Sequence, residues 1–168
     1  MNIVWKRRVM RSFWFIVAFF WFFMVPVRRV YRYVSRHPIM AAKCLVECEG
    51  EFLLVRINYA HRRWGVAGGG VNRGESFGAA AIRELYEEVG ITADTVHHLG
   101  MYEAVHEKCP VTNHVYLYRA KNKDFEIDWL EIAEAAWFKP HELPSPRQTS
   151  VDNILAMYKN LSRTPTQQ

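Results

Sequence analysis

Between Gly69 and Ile91 the chain reads GGVNRGESFGAAAIRELYEEVGI, and no other stretch constrains the fold as tightly. The run from Ala79 through Leu85 is compatible throughout with a helix, and Gly90 is well placed to stop it. Ile82, Leu85, Tyr86 and Val89 recur at spacings of three and four, which predicts one buried face. Glu84, Glu87 and Glu88 then gather on another face at i, i+3 and i+4. Like charges so placed repel, a poor arrangement for a helix that is only structural. Hard oxygen ligands on one rigid face suit Mg²⁺ or Mn²⁺, whose charge would relieve the repulsion. Arg83, four residues before Glu87, is placed to hold that carboxylate. Ahead of the helix, Gly68-Gly69-Gly70 lets the backbone come close, so that a carbonyl can join the ligand set. Glu75 stands at the helix entrance, where it can support the metal's surroundings through water or hydrogen bonds. The bland alternative is a solvated acidic helix face.

A metal so held would bridge pyrophosphate oxygens, neutralise developing charge and activate a water. The residues also resemble the Nudix box, Gly-x5-Glu-x7-Arg-Glu-U-x-Glu-Glu-x-Gly-U with U aliphatic, and every specified position is filled, from Gly69 and Glu75 to Gly90-Ile91. The resemblance to these MutT-like hydrolases extends over residues 38–161. It implies an α/β (α+β) fold, an α/β/α sandwich around a mixed sheet. Ala41 to Val46 and Phe52 to Arg56 read as strands around a Glu49-Gly50 turn. Trp64-Gly65-Val66-Ala67 enters the glycines, with Ala67 in place of the family's common Pro and Asn72 in place of a frequent Glu. Val96–Val105, Asn113–Arg119 and Ala135–Phe138 read as further strands. Val151, Ile154, Leu155, Tyr158 and Leu161 give a last amphipathic helix that starts near Ser145-Pro146 or Thr149-Ser150.

The same resemblance implies a function: divalent-metal hydrolysis of a phosphoanhydride in a nucleoside diphosphate linked to another moiety. Its metal set is Glu84, Glu87, Glu88, the Gly69 carbonyl and Glu75, with Mg²⁺ or Mn²⁺ as cofactor. Its catalytic set is Glu88, Glu87, Arg83 and Glu131. Glu131 precedes Trp137 by six residues, where some members carry an extra carboxylate that serves as base or ligand. Glu103, Glu107 and Glu134 compete for that role, and Glu88 is the other candidate base. Two further readings stay open, a nucleotide sensor that does not cleave and an isoprenoid-diphosphate isomerase, although the intact Glu set speaks for hydrolysis. The leaving group is open among sugar nucleotides, dinucleoside polyphosphates, oxidised nucleotides and capped RNA, and a homodimer is open too.

Charge separates the chain into two parts. Residues 1–43 hold nine Lys and Arg and no acid, so the net +5 divides into +9 there and −4 in the remainder. The basic balance therefore belongs to the arm and predicts no specific nucleic-acid surface on the domain. Within the arm, residues 13–27 (FWFIVAFFWFFMVPV) are uninterruptedly apolar, with Arg11 before them and Arg28-Arg29 after. As a helix the run would span about 22 Å against a hydrocarbon core of roughly 30 Å. Aromatics and flanking arginines suit a membrane interface. A cleaved signal peptide fits less well, because no small-x-small site follows. The alternative is a hydrophobic helix buried on the domain or on a partner.

The expected organisation is thus a basic, hydrophobic arm over 1–37, a catalytic domain over 38–161 and a frayed tail over 162–168. The molecule would be membrane-associated with the domain in the cytoplasm, or soluble and cytoplasmic. Cys44, Cys48 and Cys109 do not form a disulfide framework. They read as small thiols on or near strands rather than as a zinc half-site with His106. His97, His98, His106 and His114 read as structural or exposed, and His61-Arg62-Arg63 is either a phosphate contact or a solvated loop.

Overall fold

The computed structural model describes residues 39–58, 63–106 and 109–163, within the compact unit that runs from Ile39 to the C-terminus. The arm with its apolar run 13–27 lies outside the described residues, as do His61, Arg62, Glu107 and residues 164–168. Among the described residues no helix is long and apolar enough to cross a membrane.

Strand β1, Ile39–Cys48, turns at Glu49-Gly50 and returns as β2, Glu51–Ile57. Both turn residues are left-handed, with φ 52 and 78, as a two-residue hairpin loop with the right twist requires. The ladder pairs Cys48 with Glu51 and extends to Val46 with Leu53. Beyond that pair the strands part. β2 continues against the short β3, Trp64–Gly65, while β1 continues against β4, Ala67–Gly70. The returning chain thereby lays its glycines along the N-terminal half of β1.

Helix α1 follows, Phe77–Val89, then β5, His97–His106, β6, Cys109–Arg119, β7, Ile132–Phe138, and α2, Thr149–Arg163. β6 joins β1 in parallel, and the other ladders are antiparallel. The result is one seven-stranded mixed sheet, ordered β3-β2-β1-β6-β5, with β4 on β1 and β7 on β2.

Each face of this sheet carries one helix. Ala42, Cys44 and Val46 of β1, with Leu53 and Val55 of β2, pack on Ala80, Ala81, Leu85 and Val89 of α1. The alternate residues Leu45, Phe52 and Leu54, with Val115 and Leu117 of β6, pack on Val151, Ile154 and Leu155 of α2. Strands covered on both faces read as near-continuous apolar runs, which is why Ala41 to Val46 shows so little alternation. The expected α/β/α sandwich is therefore the one found.

Two helix faces differ from expectation. Tyr86 was expected in the buried stripe of α1 but is 61% exposed; Ala80, Ala81, Leu85, Glu88 and Val89 are buried instead. Alanines against a glycine strand allow close approach, so α1 turns its small residues to the sheet and Tyr86 outward. In α2, Leu161 is exposed, and the helix continues through Arg163 rather than fraying at 162.

Candidate functional site

The site starts with how α1 is fixed. Ser76 Oγ accepts the Ala79 N–H at 3.2 Å, which satisfies one of the otherwise unpaired donors of the first turn. At the far end Gly90 is left-handed, φ 66, and donates to Tyr86 O at 2.9 Å. The last carbonyls are met from outside the helix: Glu126 N–H donates to Val89 O at 3.0 Å and Asp128 N–H to Glu88 O at 3.1 Å. The segment before β7 is thus docked on the end of α1. It is tied to β2 by Asn58, whose N–H donates to Glu131 O at 2.8 Å and whose amide Nδ2 donates to Trp129 O at 3.1 Å.

Arg83 is the hub. Its Nε and Nη2 grip Glu75 at 2.8 and 3.0 Å, a fork geometry suited to a carboxylate. Nη2 also donates to Gly70 O at 3.0 Å. Nη1 lies between Glu84, at 2.7 Å, and Glu87, at 3.0 Å. The expected Arg83–Glu87 contact is present, within a wider network. Arg83, together with the Asn72 N–H at 2.9 Å, holds the Glu75 carboxyl down to about 2.

The three glutamates of α1 do not share one exposed face. Glu88 is only 5% exposed, the Glu84 side chain 13% and that of Glu87 55%. Glu88 accepts the Gly68 N–H at 3.0 Å. Burial pushes its carboxyl up to about 8, with Gly68 and Lys43 pulling back and Glu84 and Glu131 adding to the rise. A desolvated carboxyl beside other acids marks a candidate site rather than packing alone.

The glycines make the closeness possible. A Cβ on Gly69 would sit 2.6 Å from a Glu84 carboxylate oxygen, and one on Gly68, where φ is +143, would sit 2.3 Å from Ala42 O. The ladder also decides which carbonyl is available. Val71 N–H donates to Met40 O, so by the alternation of antiparallel pairs Ala42 and Gly69 bond each other, while Gly68 and Gly70 face away from β1. By that register the Gly69 carbonyl is turned toward β1, while Gly68, whose N–H meets Glu88, lies on the carboxylate side. Gly69 serves by lacking a side chain.

Among the described residues no three His, Cys, Asp or Glu side chains converge closely enough to hold a metal as they stand; the positive charge between Glu84 and Glu87 is that of Arg83. The donors are nonetheless all hard oxygens, and the space over Gly69 that a Cβ would fill is taken by the Glu84 carboxylate. Glu87, exposed and on a flexible stem, can swing away from Arg83. This set fits Mg²⁺ or Mn²⁺.

Of the loop carboxylates, Glu131 is the one whose charge is felt at Glu88. Glu134 pairs with Arg56, and Glu103 is exposed on β5. His114 stacks on Phe77 at 3.7 Å, His97 and His98 are exposed, and Arg63 is exposed. Cys44 and Cys48 are buried free thiols, and Cys109 is a partly buried one. A pocket of about 470 Å³ lies at the C-terminal end of α1, lined by Gly90, Thr92, Asp94, Tyr118 and Arg119 among others, and none of the three glutamates lines it. Lys43, absent from the candidates read from the sequence, belongs to the site's electrostatics. Its signal was a lysine within the apolar strand Ala41-Ala42-Lys43-Cys44-Leu45-Val46.

Comparison with known proteins supplies a family. The model of the NUDIX domain matches residues 36–158. Human diphosphoinositol polyphosphate phosphohydrolase 3-beta is 33% identical over 105 residues, 58% of this chain and 62% of that protein. An oxidized purine nucleoside triphosphate hydrolase of Danio rerio is 35% identical over 95 residues, 55% of this chain and 59% of that protein. The chain thus spans less than two thirds of the length of these curated relatives. Among solved structures, a MutT NUDIX hydrolase from Burkholderia pseudomallei superposes with a TM-score of 0.67 at 23% identity, covering 72% of this chain and 98% of that one. A C. elegans Ap4A hydrolase gives 0.66 at 23% identity over 74% and 97%. At such identities the structural likeness speaks for the fold alone.

Proposed function

The chain belongs to the NUDIX domain family, and from that membership and the geometry around Arg83 we propose that it hydrolyses a phosphoanhydride bond with the help of Mg²⁺ or Mn²⁺. The substrate class is a nucleoside diphosphate linked to another moiety. The observation that carries the reading is Glu88, buried at 5% exposure against a glycine strand and held by a backbone N–H. A carboxyl kept there at such cost has little structural reason to exist.

Glu84, Glu87 and Glu88, with the Gly68 carbonyl, would hold the cation, which when bound neutralises charge on the pyrophosphate oxygens and acidifies a water. The chain's own residues do the rest. Glu75 fixes Arg83, and Arg83 sets the side chains of Glu84 and Glu87. Glu131, carried by the segment docked on the end of α1, is the candidate base that takes the proton of the attacking water. Relatives named for diphosphoinositol polyphosphates and oxidized purine nucleoside triphosphates have in common a substrate with linked phosphates. That supports the reaction class and leaves the leaving group to experiment.

The test uses the full chain with ADP-ribose, UDP-sugars, Ap4A, an oxidised purine triphosphate and a diphosphoinositol polyphosphate, each with Mg²⁺ or Mn²⁺. Metal-dependent cleavage should appear for at least one, and Glu88→Gln should lower its kcat by about 10²-fold or more. Wild-type protein that cleaves none of them, or a variant with undiminished kcat, would overturn the reading. The N-terminal arm is assigned on its sequence alone to a membrane interface, with the domain on the cytoplasmic side. Full-length chain should sediment with anionic vesicles and release as salt rises; a chain that stays in the supernatant at low salt refutes this assignment.

A further inference from the structure

Trp129 and Leu130 stand immediately before Glu131 and are 74% and 67% exposed. A scattered surface apolar residue is ordinary, but these two are large and adjacent, and the backbone beneath them is fixed. Asp128 N–H donates to Glu88 O at 3.1 Å, and the Asp128 carbonyl accepts the N–H of Glu131 at 3.1 Å and that of Ile132 at 2.8 Å. Asp128 Oδ1 accepts the Leu130 N–H at 2.9 Å, the pattern of an Asx turn. From the end of β2, Asn58 Nδ2 reaches the carbonyls of Trp129 at 3.1 Å and Leu130 at 3.4 Å.

A turn held this closely presents its indole to water from a fixed backbone. A rigid aromatic of that kind offers a flat apolar face with little left to order on binding. The turn adjoins the candidate site: Asp128 is bonded to the backbone of Glu88, and Glu131 follows Trp129 by two residues, at most about 7 Å of chain. A ligand whose phosphates meet the glutamates thus brings its next group within reach of this turn. Charge narrows what that group can be. Residues 124–131 include Asp124, Glu126, Asp128 and Glu131 and no Lys or Arg. Such surroundings repel further phosphates and anionic lipid headgroups, and favour an uncharged planar ring.

We propose that Trp129 is a substrate-binding residue that stacks on the nucleobase while the phosphates lie at the glutamates, with Leu130 as the adjoining apolar wall. This rests on the hydrolase reading for the phosphate end of the ligand. The turn then distinguishes substrates that carry a planar base from phosphoanhydrides that carry none.

The probes are α,β-methylene-ADP, whose bridge resists hydrolysis, and methylenediphosphonate, which has the paired phosphorus groups without a base. Each is titrated calorimetrically with Mn²⁺ into the full-length wild type, Trp129→Ala and Trp129→Phe. Wild type should bind methylene-ADP the more tightly of the two. Trp129→Ala should weaken methylene-ADP by about tenfold, the worth of one stacked base, and leave methylenediphosphonate unchanged. Trp129→Phe, which keeps an aromatic face, should restore most of the difference. A wild type without preference for the base, equal methylene-ADP affinity in wild type and Trp129→Ala, or an equal loss for both probes overturns the proposal. Base-dependent binding through Trp129 in a chain that hydrolyses nothing sinks the proposed activity and leaves the Trp129 contact standing. Hydrolysis with methylene-ADP binding indifferent to Trp129 does the reverse.

Discussion

Glu88 keeps its proton in the metal-free fold up to about pH 8, whereas an ordinary glutamate gives it up near 4.5. The folded state therefore binds more protons than the unfolded chain between those values. Stability should fall as pH rises from about 4.5 to about 8 and level off above. Glu88→Gln should flatten that slope, read as melting temperature against pH without metal; an unchanged slope would mean another group sets it. A divalent cation must displace the proton, so Mn²⁺ should bind more tightly as pH climbs through the same window. The glycines give a second prediction. Gly69→Ala places a carbon 2.6 Å from a Glu84 oxygen and should cut kcat/KM by about tenfold or more while the protein stays folded. Gly68→Ala meets a backbone oxygen at 2.3 Å from a left-handed φ and should cost about 2–3 kcal/mol of stability by denaturant titration.

Helix α1 shows what an element can and cannot reveal in sequence. Its existence, its Gly90 stop and the engagement of Glu87 by Arg83 are short-range matters, and the spacing carries them. Its rotation about its own axis is not, because that depends on a partner strand without side chains. The alanines could reach the sheet, so Tyr86 was turned out and Glu88 turned in. The phase of the glycines in their ladder is hidden for the same reason, since it is a property of two strands. Two stability measurements belong here. Ser76→Ala removes the N-cap acceptor of Ala79 and should cost about 1 kcal/mol. Leu85→Ala, at a fully buried position, should cost about 2–5 kcal/mol. A Ser76 variant as stable as wild type would show that the first turn is held by other means.

At the scale of the whole domain, the candidate site is assembled from pieces far apart in sequence. β1 supplies Lys43, the returning strand its glycines, α1 three glutamates, and the segment before β7 supplies Glu131. Glu131 was legible only as a spacing from Trp137; what brings it near Glu88 is the docking of 126–131 on the helix end and the tie to Asn58, neither of which has a sequence signature. Asn58→Ala should therefore loosen that segment, seen as faster amide exchange at residues 126–131 and a several-fold loss of kcat, with a global cost near 1 kcal/mol. Exchange identical to wild type would remove Asn58 from this role. The parting of β1 and β2 after Val46 and Leu53 has a different consequence. The register of β4 is fixed by β1, not by β2, so the connection from Ile57 to Trp64 can lengthen, shorten or change composition without shifting the glycines against the glutamates.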